Sequence, residues 1–175
     1  MKGLVVFKGK YGATRQYADW IGEALKWPVY TPEKLLTPTI EGADVLIIGS
    51  SVYEGKLLLH GWLKKHAAQL LNKKIFLFIV CATPADKKDV LQQIAARNIP
   101  APLLEKCKVY FLRGRVVIKD LNWIDKLMLK MASRVTKDPD EKQRMMNGFD
   151  AVNRESVLPL INAVKVPMEM VDVGM

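Results

Sequence analysis

Apolar residues in this chain come in short unbroken blocks, separated by stretches in which they recur every three or four positions. The first block, Leu4-Val5-Val6-Phe7, stops at Lys8-Gly9-Lys10-Tyr11-Gly12-Ala13-Thr14. Tyr17, Ala18, Ile21, Ala24 and Leu25 then take helical spacing, so the pattern predicts a buried strand, a tight glycine-bearing turn and a helix. Val29-Tyr30, bracketed by Pro28 and Pro32, predicts a short strand. Asp44 to Gly49 predicts a second strong buried strand that ends in a polar loop, Ser50-Ser51-Val52-Tyr53-Glu54-Gly55. Leu59, Leu63, His66, Ala67 and Leu70 outline the next helix. Ile75 to Val80 is the most apolar block and belongs at the centre of a sheet. It runs into Cys81-Ala82-Thr83-Pro84, after which Asp86 to Arg97 reads as a helix and Val109 to Leu112 as the last core strand. Ala151 to Val164 reads as a closing helix, with Pro159 a kink or break in it.

Strands that alternate with helices in this way predict an α/β fold with a parallel, doubly wound sheet of five strands. The pattern fits a single domain over residues 1–175, with an insertion at about 113–150. Three loops, at 8–14, 50–55 and 81–85, then gather at the carboxyl ends of the strongest strands, the edge where open α/β sheets bind ligands. At the first loop, backbone N–H groups of the following helix can hold an anion, and Thr14 can cap that helix or donate its hydroxyl to the same anion. An ordinary strand-to-helix turn accounts for this segment alone equally well. Within the insertion, Leu121, Ile124, Leu127, Met128, Met131 and Val135 form an apolar stripe, Lys126, Lys130 and Arg134 lie elsewhere on the helix, and Trp123 sits near its start. That pattern suits a membrane surface, and it equally suits a stripe packed on the core.

Charge narrows the partners. The 175 residues carry 27 Lys and Arg against 18 Asp and Glu, a formal net charge of +9. Such a surplus favours acidic partners: nucleic acid, anionic lipid or a carboxylate-bearing substrate. Cys81 and Cys107 are the two cysteines, too few for a disulfide framework, and they predict reduced thiols in a cytosolic protein. No metal-ligand spacing appears, and neither His60 nor His66 has a carboxylate placed to make it a general base. The N-terminus lacks the apolar region of a secretory signal, because Lys8 ends the first run.

Together these segments resemble the flavodoxin-like fold and, within it, the short bacterial menaquinone-dependent protoporphyrinogen dehydrogenases. KGKYGATR at residues 8–15 resembles that family's phosphate loop at Gly12, Thr14 and Arg15. GSSVYEG at 49–55 resembles its second flavin loop, LKKHA at 63–67 matches the next helix, and LRGRVVIKDLNWIDKLMLKMA at 112–132 resembles its arginine-rich strand end and basic Leu/Met helix. Departures are present. Lys8 and Lys10 stand where a hydroxyl or other polar residue is usual, Tyr11 is bulky, the 50–60 stretch is short, and the third loop has no clear match.

The resemblance implies a three-layer sandwich with strand order 2-1-3-4-5 and FMN as cofactor. The implied cofactor-binding residues are Lys8, Gly9, Lys10, Tyr11, Gly12, Ala13, Thr14, Ser50, Ser51, Val52, Tyr53, Ala82 and Thr83. The phosphate is expected over Lys8 to Thr14, and the flavin ring between the 50–55 and 81–85 loops. Tyr53 is expected to stack on the ring, and backbone N–H groups of Ser51, Ala82 or Thr83 to bond its polar edge. The implied activity is an FMN-dependent oxidoreductase that passes electrons from an acidic, tetrapyrrole-type substrate to a quinone. It would be cytoplasmic and peripheral on the inner face of a membrane through the basic helix at 121–135. The alternative is a flavodoxin-type electron carrier that docks on redox partners and has no substrate of its own; with a charge of +9, such partners would be acidic. A third reading is a fold relative that has lost FMN. Neither a metal nor a nucleic-acid partner is expected.

Overall fold

The computed structural model describes residues 2–166, so the two ends of the expected 1–175 domain lie outside the described residues. Eight strands are present among them: β1 (Gly3–Lys8), β2 (Val29–Tyr30), β3 (Val45–Tyr53), β4 (Lys56–Leu57), β5 (Lys74–Cys81), β6 (Lys108–Arg113), β7 (Arg115–Val116) and β8 (Phe149–Asp150). The helices are α1 (Ala13–Leu25), α2 (Thr37–Glu41), α3 (His60–Leu70), α4 (Lys88–Asn98), α5 (Ala101–Lys106), α6 (Trp123–Val135), α7 (Pro139–Asn147) and α8 (Leu158–Lys165). The main sheet runs β2-β1-β3-β5-β6, with every neighbouring pair on that path parallel. This is the α/β order 2-1-3-4-5 that the resemblance implies. Strand order reverses at β1, because the chain moves outward to β2 and then crosses back to β3.

The apolar blocks are unbroken because the central strands are covered on both faces. Leu4 and Val6 point with Leu46, Ile48, Leu77 and Ile79 into one core, closed by Leu63 and Leu70 of α3, Ala95 of α4 and Leu103 of α5. Val5 and Phe7 join Ile47, Phe76 and Phe78 in the other, closed by Tyr17, Ala18 and Ile21 of α1 and Leu160, Ile161 and Val164 of α8. Each Val, Leu, Ile and Phe among them, fully buried, contributes about 1.5–3 kcal/mol. Tyr17 also ties three elements with its hydroxyl. It donates to the Arg113 carbonyl at 2.8 Å and accepts the Asn153 N–H at 3.1 Å.

Several boundaries differ from the sequence reading, each for a physical reason. Residues 50–53 are strand rather than loop. Pairing with β5 carries β3 on through Ser51↔Val80, and β4 then folds back antiparallel on Val52 and Tyr53. The closing helix is shorter than Ala151–Val164: a 3-10 turn at Arg154–Val157 precedes α8. Pro159 lies in the first turn of α8, where no intrahelical N–H is needed, so it starts the helix instead of kinking it. Helix α4 starts at Lys88 rather than Asp86. The insertion leaves and returns through a two-stranded antiparallel pair, with Arg115 opposite Asp150 and Val116 opposite Phe149.

Candidate functional site

Three chain segments meet at the carboxyl edge of the sheet, beside the point where strand order reverses. The first is the turn from β1 into α1. Gly12 takes a left-handed conformation there, φ +84°, which glycine adopts without a Cβ penalty. No side chain caps α1, and its first turn holds no acidic residue. The first intrahelical bond runs from the Gln16 N–H to the Gly12 carbonyl at 3.0 Å, so the N–H groups of Ala13, Thr14 and Arg15 precede the helix ladder. With the helix dipole behind them these groups suit an anion. The second segment is the end of β3 with its hairpin to β4. Asn98 of α4, 2 % exposed, pins it. Its Oδ1 accepts the Leu57 N–H at 2.9 Å, and its Nδ2 donates to the carbonyls of Gly55 at 3.0 Å and Ile94 at 2.9 Å. The third segment is the end of β5 at Val80, Cys81 and Ala82.

Between them lies a cavity of about 320 Å³, roofed by α6. Of the residues expected at the site, Lys10, Tyr11, Ala13, Thr14, Ser51, Val52, Tyr53 and Ala82 line it. Lys8, Gly9, Gly12, Ser50 and Thr83 are outside the lining. Lys8 pairs instead with Glu33 at 2.7 Å, and that hydrogen bond lowers the Glu33 carboxyl to about 2. Ser50 is structural: its Oγ accepts the Leu59 N–H at 3.1 Å. Residues that the sequence reading did not place here complete the walls, chiefly Val80, Cys81, Arg115, Leu121, Asp125 and Met128. Burial pushes the Cys81 thiol up, so it behaves as a small buried residue and not as a thiolate. Among the described residues, no cluster of His, Cys, Asp and Glu could hold a metal.

Asp125 dominates the electrostatics. Its carboxylate accepts from Lys10 Nζ at 2.8 Å, from Tyr53 Oη at 2.6 Å and from the Tyr11 hydroxyl. The Lys10 ammonium lies 3.7 Å from the centroid of the Tyr53 ring, so that ring carries a cation on one face. Burial opposes the charge on Asp125, but the three hydrogen bonds and the lysine charge outweigh it and hold the carboxyl below its ordinary value. Burial likewise opposes the Lys10 charge, and its bonds to Asp125 and Tyr53 and the aspartate charge raise it well above an ordinary lysine. Burial and the bond to Asp125 raise Tyr11, and the bond to Asp125 raises Tyr53. The cluster is therefore an ammonium, a carboxylate and two neutral phenols throughout the neutral pH range. A faint sequence signal for it existed. Asp125 is the one acid in α6, and Met128, Leu129 and Ala132 follow it at i+3, i+4 and i+7.

Some polar atoms lack partners. Ser51 Oγ is buried and takes part in no hydrogen bond. The same holds for Arg115 Nε, which lies 3.6 Å from Asp150 Oδ2, an ion pair too long for a hydrogen bond. An aromatic ring system with a polar edge and an anionic tail fits these features. The walls from Val52, Val80, Leu121 and Met128 are apolar, Ser51 offers an unused hydroxyl, and α1 offers uncapped amides.

A protein-family model described as "Flavodoxin domain" matches residues 4–143. Comparison with curated proteins gives no match. Among solved structures, the chain is similar to a flavodoxin from the domain Archaea, with 14 % identity, 95 % of this chain and 100 % of that chain covered, and a TM-score of 0.48. It is also similar to oxidised flavodoxin 2 from Bacillus cereus, with 14 % identity, the same coverage of 95 % and 100 %, and a TM-score of 0.47.

Proposed function

The chain belongs to the flavodoxin domain family, and on that premise we propose that its cavity holds FMN and that the protein is an electron-transfer flavoprotein. One observation carries the reading: an apolar cavity with an orphaned hydroxyl opens beside an uncapped helix start, at the strand-order reversal of a doubly wound sheet. The amides of Ala13, Thr14 and Arg15 would hold the phosphate, and Ser51 would meet a polar edge of the ring. FMN, when bound, supplies one- and two-electron redox chemistry. The chain supplies placement, a cover of Leu121 and Met128 against water, and a basic surface that steers acidic partners. Protein purified with FMN is expected to be yellow, with flavin absorption bands that bleach on reduction. Protein that stays colourless when mixed with FMN and passed over a desalting column would overturn the reading.

A second, finer reading follows the resemblance to menaquinone-dependent protoporphyrinogen dehydrogenases: electrons pass from an acidic tetrapyrrole to a quinone at an anionic membrane. The outer face of α6 favours it. Trp123 is 74 % exposed, Met131 59 % and Val135 79 %, with Ile124 and Leu127 also exposed. Lys126, Lys130 and Arg134 are exposed beside them. Most of the stripe read from the sequence thus faces outward, and only Leu121 is buried. Among the described residues, no helix is long and apolar enough to cross a membrane, so the attachment in this reading is peripheral. Each basic residue near an anionic surface contributes about 1 kcal/mol. The protein is expected to sediment with anionic liposomes at low salt. Charge reversal at Lys126, Lys130 and Arg134 is expected to release it, and absence of sedimentation by the unaltered protein at low salt would remove this reading.

A further inference from the structure

Residues 117–148 form a flap whose two ends share one root. β7 and β8 pair there, the Gly114 N–H donates to the Cys81 carbonyl at 2.9 Å, and the Ala151 N–H donates to the Gly114 carbonyl at 3.2 Å. Gly148 makes the return with φ +76°, and a Cβ at that position would run into the Val116 carbonyl oxygen. Within the flap α6 and α7 pack on each other. α6 carries two apolar faces. Met128, Leu129 and Ala132 look down into the cavity with Asp125, while Trp123, Met131 and Val135 look out.

Little holds the flap down. Leu121 is its one buried apolar side chain among the described residues. Among those residues, every hydrogen bond or ion pair that a flap side chain makes to the rest of the fold ends on the Asp125 carboxylate, with Lys10, Tyr11 and Tyr53 as partners. Those partners come from the β1–α1 turn and from the end of β3, on two sides of the cavity, so one carboxylate spans its mouth. Segments with few buried apolar contacts open locally at low free energy, and here the opening is opposed chiefly by three charge-assisted bonds.

We infer that Asp125 is a positioning residue, the latch that closes the flap over the cavity and sets how fast FMN leaves it. The inference rests on the FMN reading of the cavity. Breaking the latch swings α6 away about the Gly114–Gly148 root and exposes the cavity, while the sheet beneath stays folded.

Hydrogen exchange on the protein without FMN tests the latch independently of the cofactor. In Asp125→Ala, amides of α6 are expected to exchange about 10- to 100-fold faster, the effect of losing one charge-assisted bond or more. Those of β3 and β5 are expected to be unchanged. Tyr11→Phe/Tyr53→Phe, which keeps the Lys10–Asp125 pair, is expected to fall between Asp125→Ala and the unaltered chain. In the FMN-loaded protein, Asp125→Ala is expected to release FMN about tenfold faster or more, with Asp125→Asn intermediate. Unchanged exchange of α6 in both variants would overturn the latch, as would equal acceleration across the sheet. If the unaltered protein binds no FMN, the cofactor reading falls, and the exchange measurement still decides whether Asp125 closes the flap.

Discussion

A Gly9→Val variant is expected to lose FMN affinity about 100-fold or more while its sheet stays folded. Gly9 lies outside the cavity, so the effect is indirect. A Cβ on Gly9 would sit 2.6 Å from the Thr14 Cβ and 2.7 Å from its Oγ1. Thr14 is 1 % exposed and lies in the first turn of α1, and the clash falls on its Cβ, which no rotamer change can move away. The start of α1 must move, and the amides of Ala13, Thr14 and Arg15 move with it. Overpacking of this kind costs about 1–3 kcal/mol, and each mis-set bond to a charged group loses about 1.5–3 kcal/mol of binding. Two such bonds account for the stated loss. Fluorescence titration with FMN measures the affinity, and a far-UV thermal melt verifies the fold. Wild-type affinity in a folded Gly9→Val protein would show that this turn does not hold the phosphate.

The second large effect is on stability. Asn98→Ala is expected to destabilise the protein by about 3 kcal/mol, because it strips partners from backbone groups at a buried position. The Leu57 N–H and the Gly55 carbonyl lose the side chain that joins them to α4. For a chain of this size, about 3 kcal/mol corresponds to a fall in Tm of roughly 6–12 °C. The hairpin should suffer most, since Glu54 and Gly55 already take positive φ values of 51° and 74° and depend on this anchor. Faster hydrogen exchange at residues 51–57 is therefore expected alongside the lower Tm. A Tm unchanged within about 1 °C would show that the hairpin holds itself without Asn98.

The contrast between these sites and the sheet shows what the chain reveals in one dimension. β1 and β5 are legible because both their faces are buried and the positions inside them, residues 4–7 and 75–81, are all apolar. Even the two-residue β2 is legible, from the prolines that bracket it. The end of β3 is not, since residues 50–53 look like loop until β5 pairs with Ser50 and Ser51 and β4 with Val52 and Tyr53. The ligand edge follows from topology, and eight of the thirteen expected site residues line one cavity. Roles within that edge are harder to read. Lys8 and Lys10 suggest phosphate ligands, but each finds a carboxylate, on Glu33 and Asp125. Asp125 has only a faint local signature, as the one acid in α6, because its partners lie 72 to 115 residues away. The amphipathic stripe of the insertion is plain in the sequence, whereas the direction it faces depends on the root at β7 and β8.

In the function proposed above, a flavin ring fills the cavity while its phosphate rests on the start of α1. Titrating the same protein with FMN and with riboflavin separates the two parts of that claim, since the ligands differ only in the phosphate. FMN is expected to bind at least about 100-fold more tightly, the effect of two or more charge-assisted bonds to the phosphate. Addition of FMN should also shift the amide resonances of Ala13, Thr14, Arg15 and Ser51. Equal affinity for FMN and riboflavin, with those amides unmoved, would contradict it.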